Sequence, residues 1–257
     1  MTSAPNKTTD SKERLFEISS FVLHIIAMLL MLCDHMWARL IPGNDWLTCI
    51  GRLAFPIFAF MIVEGYTHTS SLKRYVLRLL IFAILSEVPF DLMYSGTFFY
   101  PFHQNVMWTF LIAIGLIHLN ETARKKKKIW LTIITAIGTA VFGYLLGFVF
   151  MTDYYGTGVL TVLAFYFFRG RSRWQYIAQL AAIIIINFVM LEGLQYEFTV
   201  LGGTFHFLQQ GFAALALIPI WLYHGKQGYH SKWFRWLCYS FYPVHMLFIC
   251  VIRMFLI

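Results

Sequence analysis

Nine apolar stretches, at 21–41, 47–66, 75–95, 104–120, 129–151, 155–169, 175–195, 206–224 and 236–256, take up most of this 257-residue chain and leave only short polar connections between them. A helix needs about 20 apolar residues to cross a bilayer core, and backbone groups in hydrocarbon must be hydrogen-bonded within the chain. The pattern therefore predicts an all-α fold, a polytopic transmembrane helical bundle. Residues 196–205 either lengthen a neighbouring span or form a re-entrant turn, so the expected count is nine with ten as the alternative. A chain that is 59% hydrophobic and 12% charged is not a soluble domain. Residues 1–20 read as a cytoplasmic tail and 21–257 as one transmembrane domain; no small-residue cleavage site follows a short apolar core, so the first helix is expected to stay in the membrane.

The basic residues test this division independently. Lys7, Lys12 and Arg14 lie in the tail, and alternate connections hold Lys73, Arg74 and Arg78, then Arg124 to Lys128, then Arg169, Arg171 and Arg173, then Lys226, Lys232 and Arg235. That places 17 of 20 Lys and Arg on one side and leaves Arg39, Arg52 and Arg253 elsewhere. The bias predicts a cytoplasmic N-terminus, explains the net charge of +8 without nucleic acid, and marks the Arg124–Lys128 run as a contact for anionic membrane lipid. Cys33, Cys49, Cys238 and Cys250 lack disulfide or metal-ligand spacing, so no metal is expected. No internal repeat is visible, which disfavours transporters built from inverted halves.

Charge inside apolar segments is costly and usually functional. Asp34 and His35 lie in the outer half of the first span, Arg52 near the outer end of the second, Glu87 and Asp91 on one face of the third, and Gln104 and Asn105 at the outer start of the fourth. Short connections make these spans neighbours, so one outer-half polar pocket is expected. His35 is the natural general base. Asp34 points about 100° away from it, so Glu87 or Asp91 is the expected orienting group. Arg52 or Asn105 would steady an oxyanion, although an ion pair between Asp34 and Arg52 that merely joins helices also fits. At the inner face Glu64, Lys73 and Arg74 form a candidate binding region. His24, His206 and His245 read first as packing residues. Motifs for serine hydrolysis, zinc proteolysis and nucleotide hydrolysis are absent. The pocket fits acyl transfer, proton-coupled transport or a non-enzymatic assembly role.

The ordered motifs DH, GRLAFPIFAF, EG, SEVPFD and QNV in the first 120 residues resemble the TraX family of bacterial membrane proteins, whose name-giving member acetylates a pilin N-terminus. The last segment, CYSFYPVHMLFI, is similar to the closing helices of multi-span bacterial acyltransferases. The resemblance implies a multi-pass enzyme of the bacterial cytoplasmic membrane that uses acetyl-CoA as donor. It would act on an extracytoplasmic peptide N-terminus, glycan or lipid, with His35, Asp34, Glu87 and Asp91 catalytic and Arg52, Glu64, Gln104, Asn105, Lys73 and Arg74 binding.

Overall fold

A computed structural model describes residues 17–200 and 203–256. Most of the expected tail, residues 1–16, lies outside the described residues. The chain is mainly helical, in the order α1 (Ser20–Arg39), α2 (Trp46–Gly51), α3 (Ala54–His68), α4 (Leu72–Tyr94), α5 (Val106–Lys125), α6 (Ile129–Val149), α7 (Tyr155–Phe167) and α8 (Arg173–Ile184). A π-helical turn (Ile185–Met190) extends α8, and a hairpin of β1 (Gln195–Val200) and β2 (Gly203–Leu208) follows. A 3-10 helix (Gln209–Ala216), α9 (Leu217–Leu222) and α10 (Lys232–Leu256) complete the chain.

Among the described residues six segments are long and apolar enough to cross a membrane: Ser20–Arg39, Trp46–His68, Val106–Lys125, Ile129–Val149, Arg173–Met190 and Lys232–Phe255. Two apolar segments, Tyr155–Phe167 and Gln209–Leu222, are shorter. Helix α4 has 23 residues but carries Lys73, Arg74, Arg78, Glu87 and Asp91. The protein is thus a helical membrane protein, with one departure from an all-α fold. The segment 196–205, expected to extend a span or turn back, instead falls in two strands, Gln195–Val200 and Gly203–Leu208, which pair antiparallel with Glu197 opposite His206. Tyr196, Phe198, Thr199, Val200, Phe205 and Phe207 are β-branched or aromatic, types that favour strands over helices.

Helix starts follow local chemistry. Ser19 caps α1, Ser71 caps α4, Asn105 caps α5, and Ser172 with Gln175 forms a capping box on α8. The break between α2 and α3 has a specific cause. Pro56 has no N–H to give the carbonyl of Arg52 four residues back, and its ring crowds that carbonyl. Arg52 therefore sits at the break, at the C-cap of α2.

Helix α7 is the buried centre, packed against α3, α5 and α6. Helix α6 is its opposite: Thr139, Gly143 and Gly147 are buried while Ile133, Ile137, Phe142 and Phe148 face outward. Gly147 and Gly156 let the two backbones touch, since a Cβ on either would collide with the other helix. Helices α1 and α10 pack together, and α10 also packs on α4. Contacts between connections sort the bundle into two ends. Ile18 bridges to Tyr223 and Glu64 pairs with Arg169 at the basic end; Gln104 bridges to Thr152 and Cys49 meets Tyr196 at the other.

Candidate functional site

Histidines from the first and last helices meet at the end opposite the basic loops. Nδ1 of His35 lies 2.7 Å from Nε2 of His245, with the ring centroids 4.9 Å apart, the planes within 12° of each other and both residues buried. Nδ1 of His245 is 2.6 Å from the Phe241 carbonyl, one turn back along α10. That carbonyl can only accept, so in the neutral pair the hydrogen-bond network assigns the proton of His245 to Nδ1 and leaves its Nε2 as acceptor. His35 must then donate from its own Nδ1. Its Nε2 carries a bare lone pair and has no protein hydrogen bond among the described residues. The arrangement is a relay that presents one unprotonated imidazole nitrogen.

The orienting partner of His35 is thus His245 and not a carboxylate. Asp34 points away, as the helical geometry requires, and accepts from Arg52 and from the Thr48 hydroxyl at 2.7 Å. Thr48 Oγ accepts in turn from Arg52 at 3.1 Å and from Gln209 at 2.7 Å. Gly51 makes this possible, because a Cβ there would overlap Asp34. Glu87 is occupied elsewhere, accepting from the Trp108 indole and the Asn105 amide. Asp91 accepts from the Tyr100 backbone N–H at 2.8 Å, while its other oxygen is buried with no partner among the described residues.

Asn105 is corrected as an oxyanion donor. Its amide gives both hydrogens to Glu87 and the Ala83 carbonyl, and its oxygen caps α5. Gln104 works through its backbone: its N–H donates to the Met151 carbonyl at 2.9 Å, and its carbonyl accepts from Asp153 at 2.8 Å. The expected single pocket is instead a set of adjacent, separately bonded clusters at one end, in which Arg52 Nε and one Asp91 oxygen are left without partners among the described residues.

Several neighbours were not singled out from sequence. Tyr94 meets His35 edge to face at 6.3 Å on one side and His103 at 5.5 Å on the other. Arg39, one turn beyond His35, donates to the Tyr94 carbonyl at 2.7 Å. His103 pairs with Asp153 at 3.6 Å. Burial pulls the His103 imidazole down, but hydrogen bonding and charge from Asp153, then Glu87 and Asp91, outweigh it and leave the group above its usual value. The turn carrying Asp153 holds Met151, Tyr154 and Tyr155 at φ of 50°, 60° and 46°. Left-handed backbone costs a non-glycine residue about 1–2 kcal/mol, and the Gln104 bridge and the Thr109 hydroxyl bond to the Asp153 carbonyl hold the turn in place. The signal for Asp153 was a lone aspartate between apolar segments; His245, which reads from the sequence first as a packing residue, is the partner of His35.

Glu64 lies at the other end. It pairs with Arg169 at 3.0 Å and His68 at 3.7 Å on the wall of a hollow of about 260 Å³. Lys73 and Arg74 are exposed in the first turn of α4 and do not line it. Twelve residues separate Glu64 from Arg52, about 18 Å along a helix.

No solved structure matches this chain. A curated relative, the probable fimbrial assembly protein FimC of serogroup H1 from Dichelobacter nodosus, is 28% identical over 256 residues, covering 95% of this chain and 99% of its own. The TraX protein family matches residues 19–253, nearly the whole of the bundle just described, and the chain belongs to that family.

Proposed function

We propose that this protein is an acyltransferase of the bacterial cytoplasmic membrane. It crosses nine times with a cytoplasmic N-terminus and transfers an acetyl group from cytosolic acetyl-CoA to an extracytoplasmic amine or hydroxyl. The observation that carries this reading is the fixed tautomer of the histidine pair. A bare imidazole nitrogen is the group that removes a proton from a weak nucleophile near neutral pH. Nε2 of His35 takes the proton of the attacking amine or hydroxyl as the new bond to the thioester carbonyl forms. The tetrahedral intermediate collapses by breaking the carbon–sulfur bond, and the departing CoA thiolate takes the proton from His35. Nδ1–H stays hydrogen-bonded to His245 throughout and steadies the transient imidazolium. Arg52, neutralised and held by Asp34, keeps an Nε–H donor without a partner among the described residues at this end of the bundle, a group suited to steadying an oxyanion.

The span count is supported by the helix ends. Each connection with expected cytoplasmic placement that makes a contact, such as those at 18, 64, 169 and 223, meets another of the same kind. The relative's name, fimbrial assembly protein, favours a fimbrial protein as acceptor over a glycan or lipid. The same name favours the second reading, a non-enzymatic membrane assembly factor.

Proteoliposomes separate the two readings. With acetyl-CoA on the basic side and a candidate pilin peptide on the other, the enzyme releases CoA and acetylates the peptide. His35→Gln is expected to lower that rate by about 10²- to 10⁴-fold with insertion and melting unchanged. Transfer at the wild-type rate in the variant overturns the assignment of His35, and peptide capture without any transfer favours the assembly role.

A further inference from the structure

The hollow of about 260 Å³ at the basic end is built from two kinds of surface. Its mouth carries Glu64, His68, Arg169 and Arg171, and its floor carries aromatic side chains, Tyr176 and Trp221 among them. The two arginines come from one short loop and diverge. Arg169 reaches α3 and pairs with Glu64 at 3.0 Å. Arg171 extends toward the 223–231 connection, where its guanidinium comes within 4.0 Å of the Cβ position of Gly225. Together they span the opening. Glu64 offsets one guanidinium, so Arg171 leaves the mouth with a net positive charge, and that charge selects anions.

The floor is held rigid. Gln179 is buried, accepts the Trp221 indole N–H at 2.8 Å and donates to the Phe168 carbonyl at 2.9 Å, so its amide is engaged on both sides. Trp221 in turn packs on Tyr176 with ring centroids 5.0 Å apart. A fixed aromatic surface below a guanidinium suits a ligand that is flat at one end and phosphorylated at the other. Arginine recognises phosphate through paired donors, and an aromatic face takes a planar ring by stacking. The volume lies below the roughly 300–1,000 Å³ usual for whole small-molecule ligands, so the hollow takes one end of a larger molecule and leaves the rest outside.

We infer that this hollow binds the phosphorylated nucleotide end of a small-molecule ligand, with Arg171 on the phosphate and the Trp221–Tyr176 surface against the base. That this nucleotide belongs to the acyl donor rests on the function proposed above; the phosphate-and-ring chemistry of the hollow does not. A phosphate-bearing lipid headgroup shares half of that chemistry, and the ring requirement separates the two.

The test is equilibrium titration of the full-length protein in nanodiscs of zwitterionic lipid. The probes are adenosine 3′,5′-bisphosphate and CoA, followed by tryptophan fluorescence and calorimetry. The bisphosphate is expected to quench fluorescence and compete with CoA. Arg171→Ala weakens both by about tenfold, the loss of one charge-assisted contact, and Arg171→Lys recovers part of it. Trp221→Phe keeps calorimetric binding and loses the quench. Glu64→Gln tightens binding severalfold, because it removes the negative charge that offsets Arg169 at the mouth; general destabilisation would not produce that direction. Equal affinity in wild type and Arg171→Ala overturns the proposal. So does a failure to bind the bisphosphate when phosphatidylglycerol alone changes the fluorescence, which assigns the hollow to a headgroup. Bisphosphate binding without acetyl transfer removes the proposed function and leaves the nucleotide site standing. Transfer with Arg171→Ala at wild-type affinity does the reverse.

Discussion

Among the described residues two arginine–carboxylate pairs tie separate parts of the chain together, one at each end, and they are built differently. Asp34 and Arg52 are only 14% and 15% exposed; Thr48 bonds to both and is itself held by Gln209, while Arg52 Nε has no partner among the described residues. Arg169, in the pair with Glu64, is 42% exposed and stands over an open hollow. The first pair lies among groups whose bonding is largely complete within the protein, while the second leaves a neighbouring guanidinium for something else. One end closes its polar groups on one another and the other opens onto a hollow.

Substitutions that treat the two ends alike break this comparison if it is wrong. The largest effect is expected at the histidine pair: His245→Phe removes the acceptor for His35 Nδ1 and lowers acetyl transfer by about 10²-fold or more, within the usual range for a displaced acid–base group. His245→Asn, which restores a carbonyl acceptor, recovers part of it, and rate measurements across pH distinguish a lost tautomer from a loosened core. Next, Asp34→Ala strands a buried arginine and costs about 3–5 kcal/mol, read as a fall in melting temperature in detergent; Glu64→Ala at the exposed pair costs about 1 kcal/mol or less. Equal losses would show that the two pairs are not different in kind. Gly51→Ala pushes Asp34 aside and costs about 1–3 kcal/mol, as overpacking does. The smallest effect is the pH dependence at His103. Its folded value is raised, so its contribution is complete below the unfolded value of about 6.5 and is lost as pH climbs through the folded value. Melting temperature therefore falls slightly over that window, and His103→Gln flattens the slope.

Much of this was legible from the chain. Segment positions, the two ends and the gathering of Asp34, His35, Arg52, Glu87 and Asp91 at one of them follow from apolar run lengths and the Lys/Arg bias. The pairing within that end was not. Helical spacing gives depth and face, but His35 and His245 are 210 residues apart, and no local signal shows which helices pack together. Asn105 read as a donor because its role as a helix cap, with Glu87 behind it, depends on where α4 comes to lie. The hairpin was missed because its aromatic residues are as apolar as those of a span, so a hydropathy reading does not separate the two.

His35 and His245 come from the first and last helices of the described bundle. During synthesis the first histidine is therefore in the membrane long before the second has left the ribosome, and over that interval nothing sets its tautomer. The protonation pattern of His35 is thus defined only when α10 docks. A chain interrupted ahead of α10 would display most of the polar residues of the bundle and still lack the partner that fixes the tautomer of His35.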